Sequence, residues 1–590
     1  MPGVCLDVHP GGKVPRHSLN SLLHLDTYAH ETISADRERF LGYTHYPGYP
    51  IVTLETEEYI VYFEGYCYDD GDVRERLRSL APALFDLTAD DVAQFVRETD
   101  GEFLVVGIDR QSGRVAVVND AFGRLPVYCD DHADGFVLSR EPRFVIGNGE
   151  NNEFDRMGLA QSLLFGYTLG DRTLWEDIER LAGGTHVVVN SDGESERTRH
   201  YEFDFSEKRH TDKSVEENAR NLAELFTDAC DRRTRPGGQT LLSLSGGLDS
   251  RAVAGGFRAR DISFVAATFM HDDGSTSDDV EIARQVADAA EFDWKTYTLE
   301  PFGEAEVNQL LRMKEGLNPV QMGFILQFFE RLLEEHGHGT TYVTGDGGDK
   351  AIPDLSPSAD IRSLEEFVSY VCSKNAIFDP ATVEELTGVE EQALREEIAA
   401  VTSAYPESEW NNLYVHFLVA ERGQNWLFEG EDRNRGYLWS TSPFYGLRFF
   451  EYAMNVPASQ KSGYRLYRYF LDELWPAATG IEHADFGFAL DSPVYYAVQQ
   501  GLDLIDGYPR LERIVETIHD GGSSRSEDDV AGHLLSRRLS DRAVERYFSP
   551  TVVEDIANDR AAYNSKQAFT LLTLASEVAR LGSTERVVDA

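Results

Sequence analysis

Lysine is almost missing from this sequence: nine stand against 46 arginines. The 55 basic residues face 102 Asp and Glu, giving a formal charge of −47. The acids are spread along the whole chain rather than gathered in a tail. Such uniform acidity suits a protein kept soluble in concentrated salt, where screening over about 3 Å removes self-repulsion. A halophilic source is the expectation. The same field repels phosphate backbones and argues against nucleic acid as a partner. Cysteine is sparse as well. The five (Cys5, Cys67, Cys129, Cys230, Cys372) are far apart and form no CxxC, so neither a zinc knuckle nor a disulfide framework is indicated. No apolar run approaches the roughly 18 residues a membrane span needs. The opening MPGVCLDVHPGGK has no charged start followed by an apolar stretch, so no signal peptide and a cytoplasmic location are expected.

What is present is a chain of 590 residues, 42% hydrophobic, long enough for several cores. The first ~205 residues carry short apolar segments punctuated by Gly and Asp: 57–68, 101–109, 113–120 and 185–191. A helix with apolar positions at Leu80, Leu84, Val92 and Phe95 interrupts them, which predicts an α+β domain built on antiparallel hairpins. From about residue 209 the pattern changes to helix 214–230, strand QTLLSL, strand 262–269, helix 278–290 and strand 340–345. Strands alternating with helices predict a parallel, doubly wound sheet. Beyond ~360 the chain reads as mostly helical, with a mobile loop at 519–529.

One string carries chemistry. Ser245-Gly246-Gly247-Leu248-Asp249-Ser250 stands directly after a strand and directly before a helix. Its glycines allow a tight turn and close approach, and the helix start presents unpaired N–H groups to an anion. Asp249 beside a phosphate site makes sense through a bridging Mg²⁺. This is no Walker A loop, since no Gly-Lys-Ser/Thr follows, and Gly11-Gly12-Lys13 has neither a preceding strand nor a following hydroxyl. A second string, Thr344-Gly345-Asp346-Gly347-Gly348-Asp349, ends a later strand. Strand C-termini of an open parallel sheet converge on one crevice, so both strings can line one pocket. Asp249 and Asp349 would share the metal and Asp346 would be left for proton transfer.

The two strings, in this order and spacing, resemble the synthetase domain of the asparagine synthetase family, which includes the β-lactam synthetases. The first looks like that family's pyrophosphate loop and the second its SGEGSDE segment; residues 442–474 resemble the family's helical segment after ARTPFLD. The resemblance covers about 210–495. It implies ATP binding through Leu244, Ser245, Gly246, Gly247, Asp249, Ser250, Thr344 and Gly345, with adenine near Ala267, Thr268 and Phe269. It also implies adenylation of a substrate carboxylate, with Asp346 where the family places Glu or Tyr. The family's Lys in RxKxGF falls near Ala484 and Asp485, leaving Lys461, Lys350 and Arg465 as replacement cations.

The N-terminal ~205 residues are similar to the family's class II glutamine amidotransferase domain of N-terminal-nucleophile fold. MPGVCLDV stands for MCGIxG, EEYIVYFEGYCYDD for the NGEIYN segment, and residues 99–129 and 170–189 follow the remaining motifs. Pro2 stands where the nucleophilic cysteine would be, and Glu64-Gly65-Tyr66 replaces the glutamine-holding Asn-Gly-Glu. A glutaminase needs a terminal Cys thiolate with its own amine as base. The expectation is therefore a domain over 1–208 that resembles a class II amidotransferase (an antiparallel β sandwich with helices) and lacks glutaminase activity. An α/β doubly wound pyrophosphate-loop ATPase domain over 209–590, ending in a helical part, would follow it.

The expected function is an ATP-dependent ligase that adenylates a small carboxylic acid and transfers ammonia or an amine to it, with ATP and Mg²⁺ as cofactors; a homodimer is an allowed assembly. A glutamine-hydrolysing asparagine synthetase, with Cys5 exposed by trimming, and a nucleotide-binding scaffold are the alternatives. The pair His336 and His338 in a Gly loop, with no third partner, reads as incidental rather than metal-binding.

Overall fold

The computed structural model describes residues 1–10, 19–132, 135–149, 153–235, 238–483, 487–492, 525–538, 541–559 and 562–582. The N-terminal half holds two six-stranded antiparallel sheets. Gly3–Val8 lies inside the first, between Arg39–His45 and Gly135–Ser139. The second centres on Tyr59–Cys67 paired with Gly101–Asp109. Alternation at period two decides the layering. Val4, Leu6, Leu41 and Leu138 of the first sheet pack on Ile60, Tyr62, Leu104 and Val117 of the second. The second sheet's other face, with Val61, Phe63 and Val105, is covered by Leu77, Leu84, Val92 and Phe95. Cys5, Phe40 and Val137 on the first sheet's other face meet Phe144, Leu159 and Leu163. The result is four layers: helix, sheet, sheet, helix. The covering helix expected around Leu80–Phe95 is in fact three pieces, Val73–Leu80, a 3-10 turn Ala81–Phe85 and Asp90–Glu98. Pro82 lacks the N–H that a continuing helix would need.

The middle of the chain folds as a five-stranded, all-parallel sheet. Its order is Trp294–Leu299, Val265–His271, Thr240–Ser243, Thr341–Val343, Trp439–Thr441. The chain starts in the centre, winds to one edge and returns to build the other. The order therefore reverses between Thr240–Ser243 and Thr341–Val343, and a crevice opens where their C-terminal loops diverge. Helix Val215–Thr234 enters through a full capping box of Ser214 and Glu217 and packs Leu222, Phe226 and Cys230 under the sheet. Trp439–Thr441 is too short to show a period and was missed in the sequence.

The remainder is helical, as expected, including Leu364–Asn375, Pro380–Thr387, Glu391–Ser403, Arg465–Leu474 and Ser565–Gly582. The last packs with Arg156–Phe165 of the N-terminal half in one core. A π-helical stretch, Leu418–Leu427, runs into helix Phe428–Arg435. Of the expected loop 519–529, residues 519–524 lie outside the described residues, and 525–529 open a helix, Arg525–Arg538. Gly11-Gly12-Lys13, Ala484 and Asp485 also lie outside them.

Candidate active site at the crevice of the parallel sheet

The first string sits as its chemistry requires. Strand Thr240–Ser243 ends, Ser245 and Gly246 turn, Gly247 caps the helix Leu248–Ala259, and Asp249 falls in its first turn. The loop holds itself open through its hydroxyls. Ser245 N donates to Ser250 Oγ at 3.1 Å, Gly247 N to Ser245 Oγ at 3.2 Å, and the two hydroxyls lie 3.1 Å apart. Gly246 N donates to Asp279 Oδ1 at 2.8 Å, so a carboxylate already occupies one amide of the loop. Arg251, fully buried, ties the loop's Gly246 carbonyl to the carbonyls of Ala478, Ile481 and Glu482. Leu244 N donates to the Ala267 carbonyl at 3.0 Å, and Thr268 Oγ1 returns a bond to the Leu244 carbonyl at 2.7 Å. The Thr268 hydroxyl is thus spent inside the sheet, and the Leu244 and Ala267 side chains are buried in the cores on its two faces. Of the adenine candidates only Phe269, half-buried against Phe324 and Phe328, keeps a ring near the surface.

The second string lies against the first. A Cβ on Gly345 would stand 2.7 Å from Ser250 N and 2.8 Å from Asp249 Cβ, and one on Gly348 would overlap Asp249 Oδ1. These close approaches, rather than backbone dihedrals, are why glycine is needed there. Gly345→Ala is expected to raise the ATP concentration for half-saturation about tenfold or more, since the Ser250 amide is backbone and cannot yield. Equilibrium titration with a fluorescent nucleotide checks this.

Asp249, Asp346 and Asp349 form one electrostatic group. Burial first, and then Asp349, pushes the Asp249 carboxyl up to about 7, while Tyr467 Oη, donating to Asp249 Oδ1 at 2.6 Å, and Lys350 hold it down. Asp349 is half exposed and ion-paired with Lys350. Asp346 is raised by burial, against the Thr344 hydroxyl and the guanidiniums of Arg124 and Arg433. Asp249, raised by burial and by its neighbour, and the half-exposed Asp349 are a donor pair suited to Mg²⁺, which takes one or two carboxylates and completes its shell with water and phosphate oxygens. No group of three potential ligands occurs among the described residues.

Of the replacement cations, Lys350 alone stands at the carboxylates. Lys461 is buried with Nζ on the Ala351 carbonyl at 2.9 Å, and Arg465 is exposed and feels Glu216 instead. His336 and His338 diverge. The first meets Tyr297 and Gln239, and the second bonds the Tyr437 carbonyl and stacks on Tyr46.

Sequence reasoning missed the wall opposite. Helix Phe428–Arg435 carries Glu429, Glu431, Asp432, Arg433 and Arg435, every one buried. Four of them pair across the molecule: Glu431 with Arg124, Asp432 with Arg140 and Lys314, Glu429 with Lys314, and Arg435 with Glu102. All three partners in the N-terminal half are buried: Glu102 stands in strand Gly101–Asp109, Arg124 in the loop before Tyr128–His132, and Arg140 directly after Gly135–Ser139. In the sequence this helix shows only an acidic block, Glu429 to Asp432, followed by Arg433 and Arg435, the composition of a solvated surface helix. In the N-terminal half, Cys5 lies mid-strand, fully buried, with its thiol pushed up to about 12 by burial. Glu64, where the family's Asn would be, is closed in by Arg140, Tyr49, Tyr62 and the Val4 amide.

The asparagine synthase family model matches residues 221–352, a span that contains both strings, and the glutamine amidotransferase domain model matches residues 36–202. A search of curated proteins finds no match. Among solved structures, the glutamine phosphoribosylpyrophosphate amidotransferase from B. subtilis complexed with ADP and GMP is 10% identical, with a TM-score of 0.23 over 71% of this chain and 96% of that chain. A second, described as the allosteric regulatory enzyme of purine biosynthesis, is also 10% identical, with a TM-score of 0.21 over 63% and 72%. Neither likeness is close enough to carry an argument. The chain thus carries a region that matches the glutamine amidotransferase domain model, folded as the layered antiparallel sheets, followed by a region that matches the asparagine synthase model and encloses both glycine loops.

Proposed function

We propose that the protein is an ATP-dependent ligase that adenylates a small carboxylic acid and passes the acyl group to ammonia or an amine without using glutamine. One observation carries the reading: the 245–250 loop and the 344–349 loop touch at the reversal point of a parallel sheet, with Asp249 packed on Gly348. That contact brings an anion-binding turn, a two-carboxylate pair and a third carboxylate, Asp346, into one crevice.

A carboxylate oxygen of the acid attacks the α-phosphorus of ATP, and the bond from that phosphorus to the bridging oxygen breaks. Pyrophosphate leaves with the electron pair and settles on the amides of Ser245–Ser250, Asp279 giving up the Gly246 amide in exchange. Preorganised N–H groups of this kind stabilise departing charge by amounts on the order of several kcal/mol. Mg²⁺, held by Asp249 and Asp349, would neutralise phosphate charge during this step. Asp346, its carboxyl raised by burial, is suited to take a proton from the incoming amine. The nitrogen then bonds the acyl carbon as the bond to AMP breaks.

The buried, protonated Cys5 and the closed Glu64 pocket favour free ammonia or an amine over glutamine. The test is a carboxylic acid panel with ATP, Mg²⁺ and ammonium in molar salt, a condition chosen for the −47 charge. Acid-dependent AMP and pyrophosphate are expected in equal amounts, with no glutamate released from glutamine. AMP formation with no acid of the panel would overturn the ligase reading, as would none with any acid.

A further inference from the structure

Arg433 is the exception on its helix. It is 5% exposed and, unlike its four charged neighbours, has no carboxylate within ion-pair distance among the described residues. Its partners are neutral amides. Nε and Nη2 both donate to Asn434 Oδ1, at 3.3 and 2.9 Å, and Nη1 donates to Asn318 Oδ1 at 3.4 Å. A guanidinium has five N–H donors, so one remains on each terminal nitrogen, the pair that grips a carboxylate side by side. Asn318 and Asn434 hold the fork at a fixed angle without neutralising it. A buried charge left without a counter-charge is uncompensated, and a ligand carboxylate on the two spare donors would complete it. Burial holds this guanidinium down to about 10, and the strongest attraction it feels is to Asp346.

Arg433 and Asp346 thus attract one another as opposite charges, and no ion pair joins them among the described residues. A guanidinium with two spare donors and a neighbouring carboxylate match the two ends of a zwitterion. Resting on the ligase reading above, we propose that the acceptor is an amino acid, its carboxylate bound by Arg433 and its amine presented to Asp346. The ammonium yields one proton to the Asp346 carboxylate, and the free amine attacks the acyl carbon. The bond to AMP breaks, AMP leaves with the electron pair, and the second proton passes from nitrogen to solvent. The product carries a new amide whose nitrogen bears the acceptor's carboxylate.

The test separates binding from turnover. Calorimetry of the full-length protein, loaded with a non-hydrolysable ATP analogue, is run with the common amino acids, the same amino acids as carboxamides, and ammonium. At least one amino acid should bind, its carboxamide about 30-fold or more weaker, and Arg433→Gln should lose the same factor for the amino acid. Arg433→Lys, which keeps the charge and loses the fork, should lie between, and it guards against a glutamine variant that fails to fold. No amino acid binding at 50 mM overturns the proposal. So does equal affinity in wild type and both variants, or a loss confined to the ATP analogue. Mass analysis of the product with wild-type protein must show the amino acid joined through nitrogen; an amino acid that is itself adenylated and then capped by ammonium also overturns it. Acid-dependent pyrophosphate exchange by the wild type, which needs no acceptor, decides the ligase reading separately.

Discussion

Asp249→Asn is expected to lower acid-dependent AMP release by about 10³-fold or more, while leaving the protein folded. The variant keeps the shape and the Tyr467 hydrogen bond and removes one of the two carboxylates that would neutralise phosphate charge. Loss of a preorganised electrostatic group at the reacting phosphates has an effect of that order. The pH profile is the sharper part of the prediction. Burial and the Asp349 charge raise the Asp249 carboxyl to about 7, so wild-type activity should rise across the neutral range as the carboxylate forms. Tyr467→Phe removes a donor that favours the ionised form, so the rising limb should move to higher pH. Mg²⁺ binds the ionised form, so raising its concentration should move the limb to lower pH. The linkage to stability runs the other way. A carboxyl raised above its unfolded value binds more protons folded than unfolded between about pH 4 and 7, so without metal its contribution to stability is greatest below pH 4 and is lost as pH rises through 7. A rate profile flat from pH 6 to 8, or unmoved by Tyr467→Phe, would place Asp249 outside the reaction.

The loops could be found in the sequence because their constraints are local. Gly246 and Gly247 between a strand and a helix, and Gly345 and Gly348 where a Cβ would strike the neighbouring loop, are demands a short string records. The layered N-terminal domain was legible for a related reason: short apolar segments such as 101–109, set off by Gly and Asp, record strands buried on both faces of their sheet. The opposite wall was not legible. Arg124 meets Glu431 and Arg140 meets Asp432 across about 300 residues of chain, and nothing in either neighbourhood announces the other. FEGEDRNR has the composition of a solvated helix, and only the tertiary fold shows it buried. Trp439–Thr441 is a strand by its place beside Thr341–Val343 and not by its three residues. Arg433, the residue on which acceptor choice is argued to turn, stands in that same illegible stretch.

The buried wall also sets the second large effect. Arg140→Met should destabilise the protein by about 3–5 kcal/mol, because it leaves two buried carboxylates short of a cation. Arg140 Nη1 lies 2.7 Å from Glu64 Oε1, Nη2 pairs with Asp432, and Nε donates to the Pro126 carbonyl at 2.6 Å, all at zero exposure. Lys314, 2.7 Å from Asp432, remains for one of the acids, but Glu64 keeps only neutral donors. The double variant Arg140→Met, Glu64→Gln should therefore recover part of the loss, which a pure packing effect of the methionine would not. Salt separates this interior charge from the exterior. Repulsion among exposed carboxylates is screened within about 3 Å at molar ionic strength, whereas a pair sealed from solvent is screened far less. Raising KCl should move the urea midpoints of wild type and Arg140→Met upward together, leaving the gap between them open. If molar salt closed the gap, Arg140 would be answering to the surface field, and the join between the two halves would rest on apolar packing alone.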